Sequence, residues 1–109
     1  MDKSIITIKQ AHSIENVISK SRFIAYIKPV STENEAKAFI DEIKIKHKDA
    51  THNCSAYTVG PEMNIQKAND DGEPSGTAGI PMLEILKKQE IHNVCVVVTR
   101  YFGGIKLGA

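Results

Sequence analysis

Val94-Cys95-Val96-Val97-Val98 is five apolar residues in a row, four of them β-branched, with no alternation between apolar and polar positions. In a strand, successive side chains point to opposite faces, so an unbroken apolar run is the mark of a central strand covered on both faces or nearly so. A chain that carries such a strand must build a sheet around it. The remaining segments are therefore read for strands that flank it and helices that cover it.

Ser4 to Lys9 and Ser21 to Pro29 read as strands, the second alternating Phe23, Ala25 and Ile27 against Arg22, Ile24 and Tyr26. Ser31-Thr32-Glu33-Asn34-Glu35 opens a helix, with Thr32 as cap and Glu35 reaching back three residues later. Ala36, Phe39, Ile40, Ile43 and His47 then recur every three or four residues and give one apolar stripe. Cys54 to Val59 and Ile65 to Ala68 read as a hairpin about the turn Gly60-Pro61-Glu62-Met63-Asn64. Pro81 suits the first turn of a second helix that ends near Gln89 and buries Met82, Leu83, Ile85 and Leu86. The order strand, strand, helix, strand, strand, helix, strand predicts an α+β fold, a two-layer sandwich with the helices on one face of a mixed or mostly antiparallel sheet. Val96, Val97, Ile43, Phe39, Ile85 and Leu86 are expected to form its core.

With 109 residues, 41% hydrophobic and 25% charged, the chain has the make-up of one ordinary globular domain and not of a disordered segment. No apolar run reaches the roughly 20 residues that span a bilayer, and the amino terminus lacks a secretory pattern, so a cytoplasmic location and no membrane partner are expected. Cys54 and Cys95 lack paired metal or redox spacing and read as buried, reduced thiols. A formal net charge of +1 denies the chain a strong global field, so any nucleic-acid contact must be local.

The chemistry concentrates in Asn69-Asp70-Asp71-Gly72-Glu73-Pro74-Ser75-Gly76-Thr77-Ala78-Gly79. Three carboxylates and two hydroxyls stand among three glycines and a proline, which suits a defined arrangement better than a solvated linker. Three uses fit these residues. Asp70, Asp71 and Glu73 with Ser75 or Thr77 would offer hard oxygen ligands to a divalent cation, although the spacing is not that of a calcium loop. Thr77 and the following N–H groups would bind an anion at the start of the second helix. Alternatively, Asp70 and Asp71 cap a turn while Ser75 and Thr77 satisfy backbone donors.

His52, just ahead of a strand, is the candidate for acid–base work, against the plain alternative of a hydrogen-bonded histidine at a strand edge. His12, His47 and His92 have no motif around them and are expected to face solvent or close a helix end. Arg100 follows the apolar strand, where a guanidinium takes a phosphate or carboxylate, or else pairs with one of Asp70, Asp71 or Glu73. Either way, Arg100 is expected beside the acidic loop. Gly103-Gly104-Ile105-Lys106-Leu107-Gly108 lacks the ending of a nucleotide-binding phosphate loop, though Lys106 would still reach a phosphate backbone. Cys54 two residues from His52 leaves room for a thiol–imidazole pair.

Ser21-Arg22-Phe23-Ile24-Ala25, Asp49-Ala50-Thr51-His52-Asn53-Cys54, the acidic glycine-rich stretch and Thr99-Arg100-Tyr101-Phe102-Gly103-Gly104 together closely resemble the amino-terminal domain of the YigZ/IMPACT family. The resemblance runs from about Ser21 to Ala109. It implies a topology similar to domain IV of elongation factor G, a glycine-rich segment continuing into a helix, and, in bacterial members, a second ferredoxin-like domain to which nothing in these 109 residues corresponds. The chain is thus read as a single, truncated amino-terminal domain. The resemblance further implies a regulatory or binding module linked to translation through RNA, the ribosome or a protein partner. It carries Asp70, Asp71, Glu73, Ser75, Thr77, Arg100 and Lys106 as binding residues, with His52 beside them and no cofactor or metal. The competing class is an enzyme acting on a small anionic or phosphorylated substrate, with His52 or a loop carboxylate as general base.

Overall fold

A computed structural model of the chain describes residues 10–18, 20–73 and 78–102. The elements run β1 (His12–Ile18), β2 (Ser21–Pro29), α1 (Glu33–Lys46), β3 (His52–Val59), β4 (Ile65–Asn69), α2 (Gly79–Lys88) and β5 (Val94–Tyr101). The strands form one sheet in the order β1-β2-β5-β3-β4, and every neighbouring pair is antiparallel. The fold is α+β, and β5 lies at its centre, as its apolar run requires.

Alternation along β5 decides where the helices go. Cys95 and Val97 point to one face, where they join Tyr57 and Val59 of β3 and Ala36, Phe39 and Ile43 of α1. Val94 and Val96 point to the other, where they meet Ala56 and the α2 residues Leu86, Met82 and Leu83. The helices therefore lie on opposite faces of the sheet, not on one face as the sequence had suggested, and the sandwich has three layers. The apolar run of β5 needed a cover on each side.

α1 begins as its sequence dictates. Thr32 accepts the Glu35 N–H at 3.1 Å, and the Glu35 carboxylate turns back to accept the N–H of Ser31. Phe39 and Ile43 are buried as expected, as are Val97 and Leu86. Val96 is only half-buried, and Ile85 is 60% exposed, contrary to expectation. Leu83 and Met82 lie three and four residues before Leu86 and make the contact stripe of α2 with it; Ile85 lies about 100° around the helix from Leu86 and points away.

β1 was not foreseen. All seven of its residues are exposed, and it is held by the ladder to β2 and an ion pair between Glu15 and Arg22, so it carries no burial pattern to read. The expected strand Ser4 to Lys9 lies outside the described residues. His47 and His92 are buried, not solvent-facing, although His47 does close α1. Among the described residues no helix is long and apolar enough to cross a membrane.

Candidate functional site

The acidic loop folds onto the start of β3 and the end of β5. His52 and Phe23 both stand opposite Arg100 in the strand register, which places all three on the α2 face. The loop reaches them by a turn in which Asp71 and Gly72 adopt positive φ of 47° and 91°. At Gly72 a side chain would press on the His52 ring, since an added Cβ would lie 3.3 Å from Nδ1 and 3.4 Å from Cε1. Glycine lets the backbone cross the imidazole at this distance.

Each carboxylate of the loop has its own task. Asp70 Oδ1 accepts the N–H groups of Ala78 and Gly79 at 3.1 and 2.6 Å and so caps α2 from eight and nine residues upstream. Asp71 Oδ2 accepts the Asn53 N–H at 2.6 Å, while its Oδ1 lies 4.0 Å from Lys44 Nζ. The two oxygens of Glu73 accept from Arg100 Nη1 at 3.1 and 3.0 Å, and Oε1 lies 3.7 Å from His52 Nε2. Arg100 is thus beside the acidic loop. Its guanidinium also lies 5.6 Å from the centre of the Phe23 ring and 5.2 Å from that of Phe102.

These contacts bear on the chemical readings. The three carboxylates diverge to separate partners, and among the described residues no group of three His, Cys, Asp or Glu is arranged to hold a metal ion. The N–H groups at the start of α2 already hold an anion, the chain's own Asp70. His52 Nδ1 lies 2.8 Å from the Asp71 carbonyl, which can only accept, so Nδ1 donates and Nε2 is aimed at Glu73. The Cys54 thiol donates to the Asp70 carbonyl at 3.2 Å, not to His52. Burial first, then the charges of Glu73, Asp71 and Asp70, push that thiol up to about 12, which removes it as a nucleophile near neutrality. Ser75, Thr77 and Lys106 lie outside the described residues.

Beside the cluster opens a cleft of about 610 Å³. Phe23, Val98, Pro81 and Met82 give it apolar walls, and Glu73 and Arg100 give it one polar end. Its volume is that of an ordinary ligand site.

On the α1 face of the same strand ends lies a group that sequence reasoning left unassembled. His47, at the C-cap of α1, has Nε2 2.6 Å from the Tyr26 hydroxyl and Nδ1 2.7 Å from the Tyr101 hydroxyl. Its backbone carbonyl accepts from Asn53 Nδ2 at 3.3 Å, and Asn53 Oδ1 in turn accepts from the Thr99 hydroxyl at 2.6 Å. The position of His47 on the apolar stripe of α1 was the available signal that it turns inward.

Residues 19–109 match the Impact N-terminal domain model. The chain belongs to the IMPACT family. It is 64% identical over 106 residues to the IMPACT family member YvyE of Bacillus subtilis, covering 97% of this chain and 49% of that protein. To the IMPACT family member YigZ of Escherichia coli it is 43% identical over 93 residues, covering 84% and 46%. The chain thus spans about half the length of these IMPACT relatives. A crystal structure described as that of a hypothetical protein superposes with a TM-score of 0.83 at 39% identity, covering 91% of this chain and 49% of that one. The structure of a two-domain translational regulator, Yih1, superposes with a TM-score of 0.64 at 32% identity, covering 84% and 36%.

Proposed function

We propose that this IMPACT domain is a regulatory binding module of translation, acting in the cytoplasm by surface contact with RNA, the ribosome or a protein partner. The observation that carries the reading is the likeness to the translational regulator Yih1. The site chemistry agrees with it. Asp70, Asp71 and Glu73 are engaged by backbone N–H groups or by Arg100, so they act as a clasp that shapes a surface and not as free bases. In this reading the loop with Ser75 and Thr77, together with Arg100 and Lys106, belongs to the contact surface.

The convergence of His52, Glu73 and Arg100 beside a cleft is the feature that favours the second reading, an enzyme for a small anionic substrate. Against it stands the aim of His52 Nε2 at Glu73, because a general base needs a nitrogen directed at the proton it removes.

The test is addition of the purified chain to a reconstituted translation reaction, with ribosome sedimentation in parallel. A dose-dependent change in reporter synthesis that survives His52→Ala is the expected result. No effect and no co-migration at large excess would sink the module reading.

A further inference from the structure

The lower ends of β2 and β5 carry a reciprocal pattern. In the register of the two strands Arg22 stands opposite Tyr101, and the next pair, Phe23 opposite Arg100, repeats the arrangement on the other face of the sheet. In each pair the guanidinium lies over the facing ring, at 5.3 Å for Arg22 on Tyr101 and 5.6 Å for Arg100 on Phe23. On the α1 face the pattern extends sideways, because Lys46 Nζ lies 5.4 Å from the centre of the Tyr26 ring. Two tyrosine rings, each capped by a cation, thus flank His47.

The rings and the cations differ in freedom. The imidazole of His47 holds both tyrosine hydroxyls, at 2.6 and 2.7 Å, and it is itself buried, so the rings are fixed. Arg22 and Lys46 are exposed, and the only described ion pair of Arg22 is with the exposed carboxylate of Glu15. Exposed pairs of that kind are weak and screened by salt.

We propose that this surface binds single-stranded RNA, with bases stacking on Tyr26 and Tyr101 while Arg22 and Lys46 swing from the ring faces onto the flanking phosphates. The proposal rests on the binding-module reading and names the partner's chemistry. An exposed cation–π contact is weaker than a base stacked on an aromatic ring, so exchanging one for the other favours the bound state. The freed cation then meets a phosphate, whose charge is stronger than that of the ring face it left. An acidic peptide would take the cations but leave the ring faces without a partner. The near-neutral chain needs such a local arrangement, since its net charge of +1 supplies no general attraction for nucleic acid.

The experiment is a fluorescence-anisotropy titration of labelled oligouridine with the full chain across a series of salt concentrations. Arg22→Ala combined with Lys46→Ala should weaken binding and make the log–log salt slope shallower by about 1.4, the share of two phosphate contacts. Tyr101→Leu should weaken binding about tenfold, the scale of one lost base stack. Tyr101→Phe, which removes the bond to His47 but keeps the ring, should bind as the unaltered chain does. Unchanged affinity in the Arg22/Lys46 variant, equal loss in Tyr101→Phe and Tyr101→Leu, or displacement of the RNA by polyglutamate as readily as by unlabelled oligouridine would each overturn the proposal. If the Arg22/Lys46 variant still acts fully in the translation reaction, the RNA surface falls while the module reading stands. If the unaltered chain has no effect there and does not co-migrate with ribosomes, the module reading itself falls.

Discussion

Glu73 and Arg100, 27 residues apart in the chain, meet with both carboxylate oxygens within 3.1 Å of a single guanidinium nitrogen, Nη1. Their side chains are 12% and 26% exposed, so the pair is shielded without being sealed. Arg100→Ala would leave Glu73 beside the His52 ring, with Oε1 3.7 Å from Nε2. Breaking a fully buried pair costs about 3–5 kcal/mol, and partial exposure reduces this to roughly 1–3 kcal/mol. Urea unfolding of Arg100→Ala, of Glu73→Gln and of the double variant should show non-additive losses; strictly additive ones would mean that the pair contributes no coupling.

Asp70 replaces the side-chain cap that Ala78, at the N-cap of α2, is unable to supply. Asp70→Ala should cost about 1–2 kcal/mol, the upper part of the range for losing an N-cap. Faster amide exchange in the first turn of α2, with α1 unaffected, would locate the loss. Equal protection in variant and parent would show the cap to be dispensable.

Gly79 passes so close to β4 that an added Cβ would lie 2.6–2.8 Å from the backbone N, O and C of Asn69. Gly79→Ala therefore forces α2 away from the strand and should destabilise by about 1–3 kcal/mol, despite the better helix propensity of alanine. A rise in melting temperature would contradict the close approach.

Leu86 and Ile85 offer an internal comparison, at 5% and 60% exposure. Leu86→Ala should cost about 2–5 kcal/mol, as buried large-to-small changes do. Ile85→Ala should stay within about 1 kcal/mol, as exposed substitutions generally do. Equal losses in denaturant titrations would mean that α2 is rotated from the position described.

His47 gives the fold a pH dependence. Burial, with Lys46 and Arg22 nearby, holds its imidazole below the ordinary value of 6.5. The unfolded chain then takes up the proton more readily than the folded one, so this contribution is complete above about pH 6.5 and declines as the pH falls below it. It levels off under the folded value. His47→Gln should flatten this part of the stability profile between about pH 7 and pH 5. A profile as steep as that of the parent would assign the effect elsewhere.

Local rules were legible in the chain, and long-range ones less so. Thr32 and Glu35 announced the start of α1 because a capping box lies within four residues. The run at Val94 announced the central strand because period and composition are local properties. The placement of α2 was misread because two amphipathic helices look alike in sequence whether they share a face of the sheet or divide it. β1 was invisible because a fully exposed strand, held by its ladder and one surface ion pair, carries no burial pattern. In the acidic loop the nearness of Arg100 could be argued from charge, but which carboxylate it takes depends on the turn at Asp71 and Gly72. That turn is fixed by the packing of Gly72 against His52, a contact across twenty residues.

The middle strand of the sheet comes after the other four described strands in the chain. β5 pairs with β2, some seventy residues earlier, and with β3, some forty residues earlier, and among the described residues no other strand joins the two halves of the sheet. Without β5, the β1–β2 and β3–β4 pairs have no described strand between them, and each keeps one edge open for β5. Neither helix can complete its apolar contacts until that strand arrives, since both cores take residues from it. Loop-closure entropy of this order slows folding, and unpaired edges invite wrong partners in the interval. A nascent chain stopped short of Val94 should be protease-sensitive, and release of β5 should convert it to the resistant fold in one step.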